Sequence, residues 1–195
     1  MVEISHSNLG EAAEYLAGIK NGIGKATSRA INHTTSKAKT QMKRYVSKGY
    51  YIKQGDVEKT LDIKKANWNN PFSTIISKSP VLPLSKFKVS VSTEGIRAAV
   101  SKIEGYKLRK GAFISNVKEF NGSGYSENKS IRIFRRKTRK RLPLQLQYGA
   151  SIPGMIGNDN VIVALNKFIG REINIRLSHE VNYLLGRYKK WILEY

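Results

Sequence analysis

Residues 131–155 decide the fold, and they read IRIFRRKTRKRLPLQLQYGASIPGM. The first four alternate as a strand does, and a dense cationic run follows. Two prolines and two glycines among apolar residues then favour a stiff, non-helical connection. From about Asn158 onward the pattern is that of one long helix. A strand, a basic loop, a rigid connection and a terminal helix meet here, so we expect the chain to pack around this junction.

Apolar residues recur at steps of three and four at both ends of the chain, which predicts two amphipathic helices. The first spans residues 8–47, with a break expected near 21–25, because each glycine there costs about 1 kcal/mol relative to alanine. The second spans residues 158–193. At 1.5 Å per residue it would reach about 50 Å, so either Gly170 breaks it or another chain covers part of its apolar stripe. The candidate subunit contacts on these helices are Leu16, Ile19, Ile23, Leu177, Val181, Leu184 and Tyr188.

Between the helices the period of the apolar residues changes to two, which predicts short strands. Turn residues rich in glycine, proline and asparagine separate them. The sequence therefore predicts a single α+β domain, 1–195, with an antiparallel β-sheet or small barrel-like β unit over 50–135 and a basic loop and Pro/Gly connection over 136–157. The alternating runs are 61–64, 72–77, 87–91, 96–103, 112–120 and 131–134.

Composition limits the classes of function. There is no cysteine, which excludes disulfide frameworks, thiolate metal sites and thiol nucleophiles. No apolar run approaches the roughly 18 residues of a membrane span, and no secretory signal opens the sequence, so we expect an intracellular product and no membrane partner. The net charge of +21 points to a polyanionic partner, nucleic acid before an anionic membrane.

Catalytic signatures are not found in the sequence. His6, His33 and His179 lack the spacing of a metal site. The segment Gly24-Lys25-Ala26 resembles the end of a phosphate loop, but it lacks both the earlier glycine and the following Ser or Thr. We therefore expect no catalytic residues, no metal, no cofactor and no enzymatic activity.

The cationic run is the candidate binding site. An exposed run of this kind neutralises phosphates and releases counterions without reading base sequence. The alternative is a solvated loop with no fixed ligand. No recognition helix or base-stacking motif accompanies it, so we expect any contact with DNA to be with the sugar–phosphate backbone. The seven residues are Arg132, Arg135, Arg136, Lys137, Arg139, Lys140 and Arg141.

Four stretches in order resemble the prophage minor tail protein Z family of long-tailed bacteriophages. The first is the helix containing Ala30-Ile31-Asn32, and the second is the segment at 80–87. The third lies at 111–114, and the fourth runs from the basic strand through 141–144 and 148–155. The motif residues are Leu82, Pro83, Gly111, Phe113, Leu142, Pro143, Tyr148, Gly149, Ser151, Pro153 and Met155.

The resemblance implies a structural virion protein of the neck or head-proximal tail end, assembled in the host cytoplasm. Such a protein would form a ring with its own copies, a hexamer being expected, beside the tail terminator, connector or head-completion protein, or tail tube. We expect the basic loop to line or approach the lumen and to meet the backbone of double-stranded DNA. Two rival functions remain: a sequence-neutral DNA-binding protein acting as a free monomer or dimer, and a module whose basic face meets an acidic protein. A nuclease is a more distant third.

Overall fold

The computed structural model describes residues 22–120 and 125–194 and confirms the predicted α+β class. Two long helices, α1 and α4, accompany ten short to medium strands in the described residues. The elements in chain order are α1 Gly22–Gly49, α2 Gln54–Glu58, β1 Leu61–Lys64, β2 Thr74–Ser77, β3 Val81–Pro83, β4 Lys88–Ser92, β5 Gly95–Ala99, β6 Lys107–Lys110, β7 Ala112–Phe120, β8 Tyr125–Arg136, β9 Leu144–Leu146, β10 Tyr148–Ser151, α3 Ile152–Ile156 and α4 Asp159–Glu194.

Helix α1 is continuous over its described length, so the break expected near residues 21–25 is not present from Gly22 onward. Gly24 allows a close approach instead. A Cβ atom at this position would lie 2.6 Å from the carbonyl oxygen of Trp68. The first half of the predicted helix, with Leu16 and Ile19, lies outside the described residues. Helix α4 is likewise unbroken at Gly170, so the first of the two explanations for its length is wrong.

The chain divides into two compact units. Among the described residues, the first contains 22–41, Leu61–Ile76 and 163–194. In it, Ala26 of α1 packs with Leu184 of α4, and Lys37 pairs with Glu172. Residue numbers rise along α1 as they fall along α4, so the two helices are antiparallel in this unit.

Asn32 ties α1 of the first unit to the segment after β1. Its Nδ2 donates to the carbonyl oxygen of Ala66, and its Oδ1 accepts from the amide of Ala66, both at 2.8 Å. One side chain thus satisfies both backbone groups of a buried residue, which an extended segment without a strand partner requires. This contact gives a structural reason for asparagine in the Ala30-Ile31-Asn32 stretch.

The second unit, Met42–Thr60 and Ser77–Ile162, holds most of the strands. They form small antiparallel sheets ordered β4-β5-β6, β7-β8-β9 and β10-β3. Strands β1 and β2 form a fourth sheet, which belongs to the first unit apart from Ser77. These sheets are not closed, so the barrel-like alternative is not realised. The core of this unit contains the largest fully buried side chains, which are Val46, Val57, Leu84, Ile96, Ile133, Ile152 and Met155.

The connection at residues 136–157 differs from the stiff, non-helical loop that the sequence predicts. It contains β9, β10 and the short helix α3. The helix forms because Ser151 caps it, accepting a hydrogen bond from the amide of Gly154 at 3.2 Å. Pro153 stands in the first helical turn, where a missing N–H costs nothing. None of the helices in the described ranges combines the length and the apolar character that crossing a bilayer requires.

Candidate nucleic-acid interface

The basic residues lie on and after the end of β8, in the hairpin that joins β8 to β9. Strand β8 pairs with β9 through Phe134 opposite Leu146 and Arg136 opposite Leu144. The amide of Lys137 donates to the carbonyl oxygen of Pro143 at 3.2 Å and closes the connection. Residues 137–143 therefore form a turn held at its base by a strand ladder. We call residues 135–141 the basic turn.

All seven residues of the basic turn are exposed, and six of them are cationic. Ion pairs elsewhere in the described residues join Lys37 to Glu172, Lys43 to Glu58, Lys107 to Glu104, and Arg176 to Glu180. None of these pairs involves the basic turn. Within the described part of the chain, its charges are thus left without a carboxylate partner, and mutual repulsion keeps them available to an external anion.

Two basic side chains of β8 are held in place. The guanidinium of Arg136 lies 5.1 Å from the ring centroid of Phe113, within the range of a cation–π contact. The Phe113 ring in turn packs near Phe134, with centroids 6.5 Å apart. Arg132 is half-buried, and its Nε donates to Ser130 Oγ at 3.3 Å. Arg136 is thus a positioned cation on an ordered strand, whereas Lys137 to Arg141 extend from a turn. The contact of Arg136 with Phe113 could not be predicted from the sequence, since the two residues are on different strands.

The family motif residues lie in the strands and connections around the basic turn. Gly111 adopts a positive φ of +67° between β6 and β7, a conformation that favours glycine. A Cβ atom on Gly149 would lie 2.4 Å from Cε2 of the buried Phe87, so β10 approaches this ring closely. Met155 is buried, and Leu142 is exposed beside Pro143. Leu82 and Pro83 are half-buried on β3, and Pro83 stands opposite the partly exposed Tyr148.

The candidate subunit contacts on the helices fall into two groups. Ile23 and Leu177 are exposed, at 52% and 37%. Leu184 is buried at 8% exposure against Ala26, with Val181 packed beside it. Leu16 and Ile19 lie outside the described residues, and Tyr188 is placed on α4 without a described side chain. The structure adds Ile175, at 60% exposure, as an apolar residue that the sequence did not single out.

A second polar region lies in the first unit. It is an open groove of about 500 Å³ lined by Arg29, Asn32, Arg176, His179, Glu180 and Tyr183. Its central groups are already engaged, since Asn32 binds the backbone of Ala66 and Arg176 pairs with Glu180 at 2.7 Å. No group of three metal-binding side chains occurs among the residues that the structure describes.

His33 on α1 is a half-buried titratable group of this unit. Burial lowers its pKa, and the positive charges of Arg176 and Lys37 lower it further, while Glu172 and Glu180 act in the opposite direction. Its Nδ1 is buried without a hydrogen-bond partner among the described atoms. This arrangement favours a neutral, packed imidazole.

Comparison with known families gives one match. The family model described as prophage minor tail protein Z (GPZ) matches residues 8–193. The match covers nearly the whole chain, including both long helices, whereas the resemblance read from the sequence was carried by residues 26–155. Searches of curated proteins and of solved structures returned no match.

Proposed function

The chain belongs to the prophage minor tail protein Z family, and from that membership we propose that it is a structural protein at the head-proximal end of a phage tail. The family indicates a minor structural protein of the tail. In our proposal, copies of the chain form a ring that joins the tail to the connector and lets the genome pass. The role requires subunit contacts and a surface compatible with DNA, rather than a catalytic centre.

The observation that carries the proposal is the basic turn. Six cationic side chains stand exposed on seven consecutive residues, and none of them has a carboxylate partner within the described residues. Clustered charges of one sign repel each other, and binding to a polyanion relieves this repulsion. Duplex DNA carries one phosphate charge per roughly 1.7 Å of axis, so a turn of this size matches several phosphates.

The contact would be sequence-neutral. Arginine and lysine bind phosphate oxygens irrespective of the bases. A protein that guides a genome through a passage must not hold particular sequences, because tight base contacts would stop the DNA. A basic turn at the end of a strand ladder gives attraction without base readout.

A closed ring requires heterologous contacts, in which two different surfaces of each copy meet. The exposed apolar residues Ile23, Ile175 and Leu177 are available for such contacts. A hexamer would bring six basic turns together, each contributing the same group of cations.

The second candidate function is a free, sequence-neutral DNA-binding protein. The same unpaired charges and the net charge of +21 favour it. The two functions differ in where the protein acts: in the first case it is a stoichiometric component of the tail, and in the second it binds DNA as a monomer or dimer outside particles.

The test uses a fourfold variant, Arg135→Gln, Arg136→Gln, Arg139→Gln and Lys140→Gln. Its control removes the same charge from exposed lysines elsewhere: Lys53→Gln, Lys59→Gln, Lys64→Gln and Lys65→Gln. Because each phosphate contact contributes about 0.9 to the slope of log K against log salt, loss of four contacts lowers that slope by about 3.6. We expect the control to change it much less. Equal slopes for the two variants would contradict a role for the basic turn in binding DNA.

Experiments on purified phage particles distinguish the two candidate functions. We expect wild-type chain in purified tails, and we expect particles carrying the basic-turn variant to assemble but to deliver DNA poorly. Mass spectrometry of tails and plaque titres measure both. Fully infectious particles with the variant would exclude the lumen role, and absence of the wild-type chain from tails would favour the free DNA-binding protein.

A further inference from the structure

Strands β7 and β8 form a long two-stranded arm whose outer edges are largely uncovered. The two strands pair from Ala112 opposite Arg135 to Phe120 opposite Tyr125. On its other side, β8 is paired only from Phe134 to Arg136, because β9 has three residues. Strand β7 is the terminal strand of this sheet. One edge of β7 and most of one edge of β8 thus lack a strand partner in the described chain.

The direction of the open backbone groups follows from one hydrogen bond. The amide of Gln147 donates to the carbonyl oxygen of Ile133 at 2.8 Å, so the backbone groups of Ile133 face the β9 side. Groups alternate along a strand, and those of Ile131 therefore face the same side, beyond the end of β9. Ile133 stands opposite Ile114, so the groups of Ile114 and, two residues on, Asn116 point away from β8.

An edge of this kind is normally protected, because unpaired N–H and C=O groups recruit other strands. Neither β7 nor β8 contains proline, and neither is short. On the face shared by Ile114 and Ile131, these two side chains are 39% and 57% exposed. The arm therefore combines unpaired backbone groups with uncovered apolar side chains, as a strand does that pairs with another chain.

Charge decides which edges can meet. Strand β7 carries one lysine and one glutamate, Lys118 and Glu119, and is neutral. Over its open part, residues 125–133, strand β8 carries Lys129 and Arg132 against Glu127, which leaves this edge at +1. Pairing two β8 edges would bring like charges opposite each other, which destabilises a ladder, whereas pairing β8 with a neutral β7 edge does not. Since β7 and β8 are antiparallel within one copy, adding the β7 of a second copy to β8 continues an antiparallel sheet.

We propose that the arm joins neighbouring copies of this chain edge to edge, with the open edge of β8 in one copy pairing with the open edge of β7 in the next. The pairing is heterologous, so it propagates until a ring closes. The inference rests on the proposed ring and assigns its strand contact. Because the basic turn follows the same end of β8 in every copy, the pairing sets all basic turns at one rim of the shared sheet.

Cysteine cross-linking tests the contact cleanly, because the chain has no cysteine of its own. Ser115 and Ser130 have backbone groups that face within the arm, so between copies they occupy non-hydrogen-bonded positions. Directly opposite residues at such positions have Cα atoms about 4.5 Å apart, which a disulfide spans. The variants Ser115→Cys and Ser130→Cys, mixed and oxidised, are expected to give a covalent dimer with one copy of each. Mixed with Ser130→Cys, the variants Phe113→Cys and Val117→Cys extend the test to registers shifted by two residues to either side.

Dimers formed only between identical variants would overturn the heterologous pairing, and so would the failure of all three mixtures. The variant Asn116→Pro is the control. It removes one outward N–H while leaving the arm's own ladder intact. We expect it to abolish the mixed dimer without changing the circular dichroism of the free chain.

Amide hydrogen exchange gives a test that does not depend on register. In the free chain, the amides of Ser115 and Arg132 are protected by the arm, whereas those of Ile114, Asn116 and Ile131 are open. On assembly we expect exchange at these three amides to slow by at least about tenfold. Neighbouring residues of each strand would then be protected, whereas in the free chain protected and open amides alternate. Unchanged exchange at all three in the assembled chain would overturn the inference.

The outcomes distinguish this inference from the proposed function. If the chain is present in tails but shows neither the mixed dimer nor the slowed amide exchange, the proposed function stands and the arm contact is rejected. If the chain pairs through the arm in solution but is absent from tails, the arm contact stands and the proposed function is rejected.

Discussion

The two long helices of the first unit and the basic turn of the second use the same cationic residues in opposite ways. In the helical unit, Lys37 and Arg176 each pair with a carboxylate on α4, and those carboxylates, Glu172 and Glu180, are 9% and 5% exposed. In the basic turn, the described cations have no carboxylate partner and are exposed. Cations that serve the fold are thus neutralised within the chain, and cations left open are available to a partner. The distinction predicts where loss of charge affects stability and where it affects binding.

The largest effect on stability is expected from Glu180→Ala. Removing the buried carboxylate leaves the partly buried guanidinium of Arg176 without its partner, and we expect the free energy of unfolding to fall by about 2–3 kcal/mol. Urea denaturation measures it. The control is Glu104→Ala, which breaks the exposed pair with Lys107 and should cost less than about 1 kcal/mol. Equal losses in the two variants would remove the distinction between buried and exposed pairs.

A somewhat smaller loss is expected from Asn32→Ala. The substitution leaves both backbone groups of the buried Ala66 without their hydrogen bonds, at a cost of about 2 kcal/mol. The exposed Asn174 on α4 provides the control, since Asn174→Ala should change stability by less than about 0.5 kcal/mol. A neutral Asn32→Ala would show that the Ala66 segment is held by other contacts.

A pH-dependent effect is expected from His33. Its folded-state pKa lies below the ordinary value of 6.5, so the unfolded chain binds the proton more readily. Stability is therefore lost as pH falls below 6.5, and the variant His33→Asn should reduce this loss. Thermal denaturation between pH 7.5 and about 5 measures it, with His179→Asn on the exposed side of α4 as the control. A wild-type chain and a His33→Asn variant with parallel pH profiles would contradict the assignment.

The smallest effect on stability is expected from the fourfold basic-turn variant. Its side chains make no ion pair within the described residues, so their neutralisation should change the free energy of unfolding by less than about 1 kcal/mol, and relief of repulsion would raise it. The same samples used for DNA binding supply the measurement. A loss comparable to that of Glu180→Ala would place the turn among the groups that hold the fold.

Local patterns predicted much of the fold. Strand β7 covers 112–120 as the alternation of apolar residues indicated, and α4 begins at Asp159, one residue after the start predicted near Asn158. Both elements depend on neighbours in sequence, through a period of two or of 3.6. By contrast, β8 extends back to Tyr125 through polar residues, because β7 supplies its ladder. Strand β6 was not predicted, since Lys107–Lys110 has one apolar residue and is held by pairing with β5.

The candidate site shows the same division. The sequence located the basic run and its exposure follows from its charge, but the placement of Arg136 over Phe113 depends on a strand register. Neither of these ion pairs was predicted. The pair Arg176–Glu180 has the i, i+4 spacing at which helix side chains meet, so the sequence contains a signal for it. The pair Lys37–Glu172 has no such signal, since 135 positions separate the two residues.

The sequence by itself determined the α+β class, the surplus of positive charge and the family, because composition, periodicity and motif order are properties of the chain taken locally. Only the tertiary structure decided which cations are paired, that Gly24 serves close packing rather than a break, and which strand edges are left open. These depend on which distant segments the fold brings within a few ångströms. Ion pairs and ladder hydrogen bonds act only over such distances.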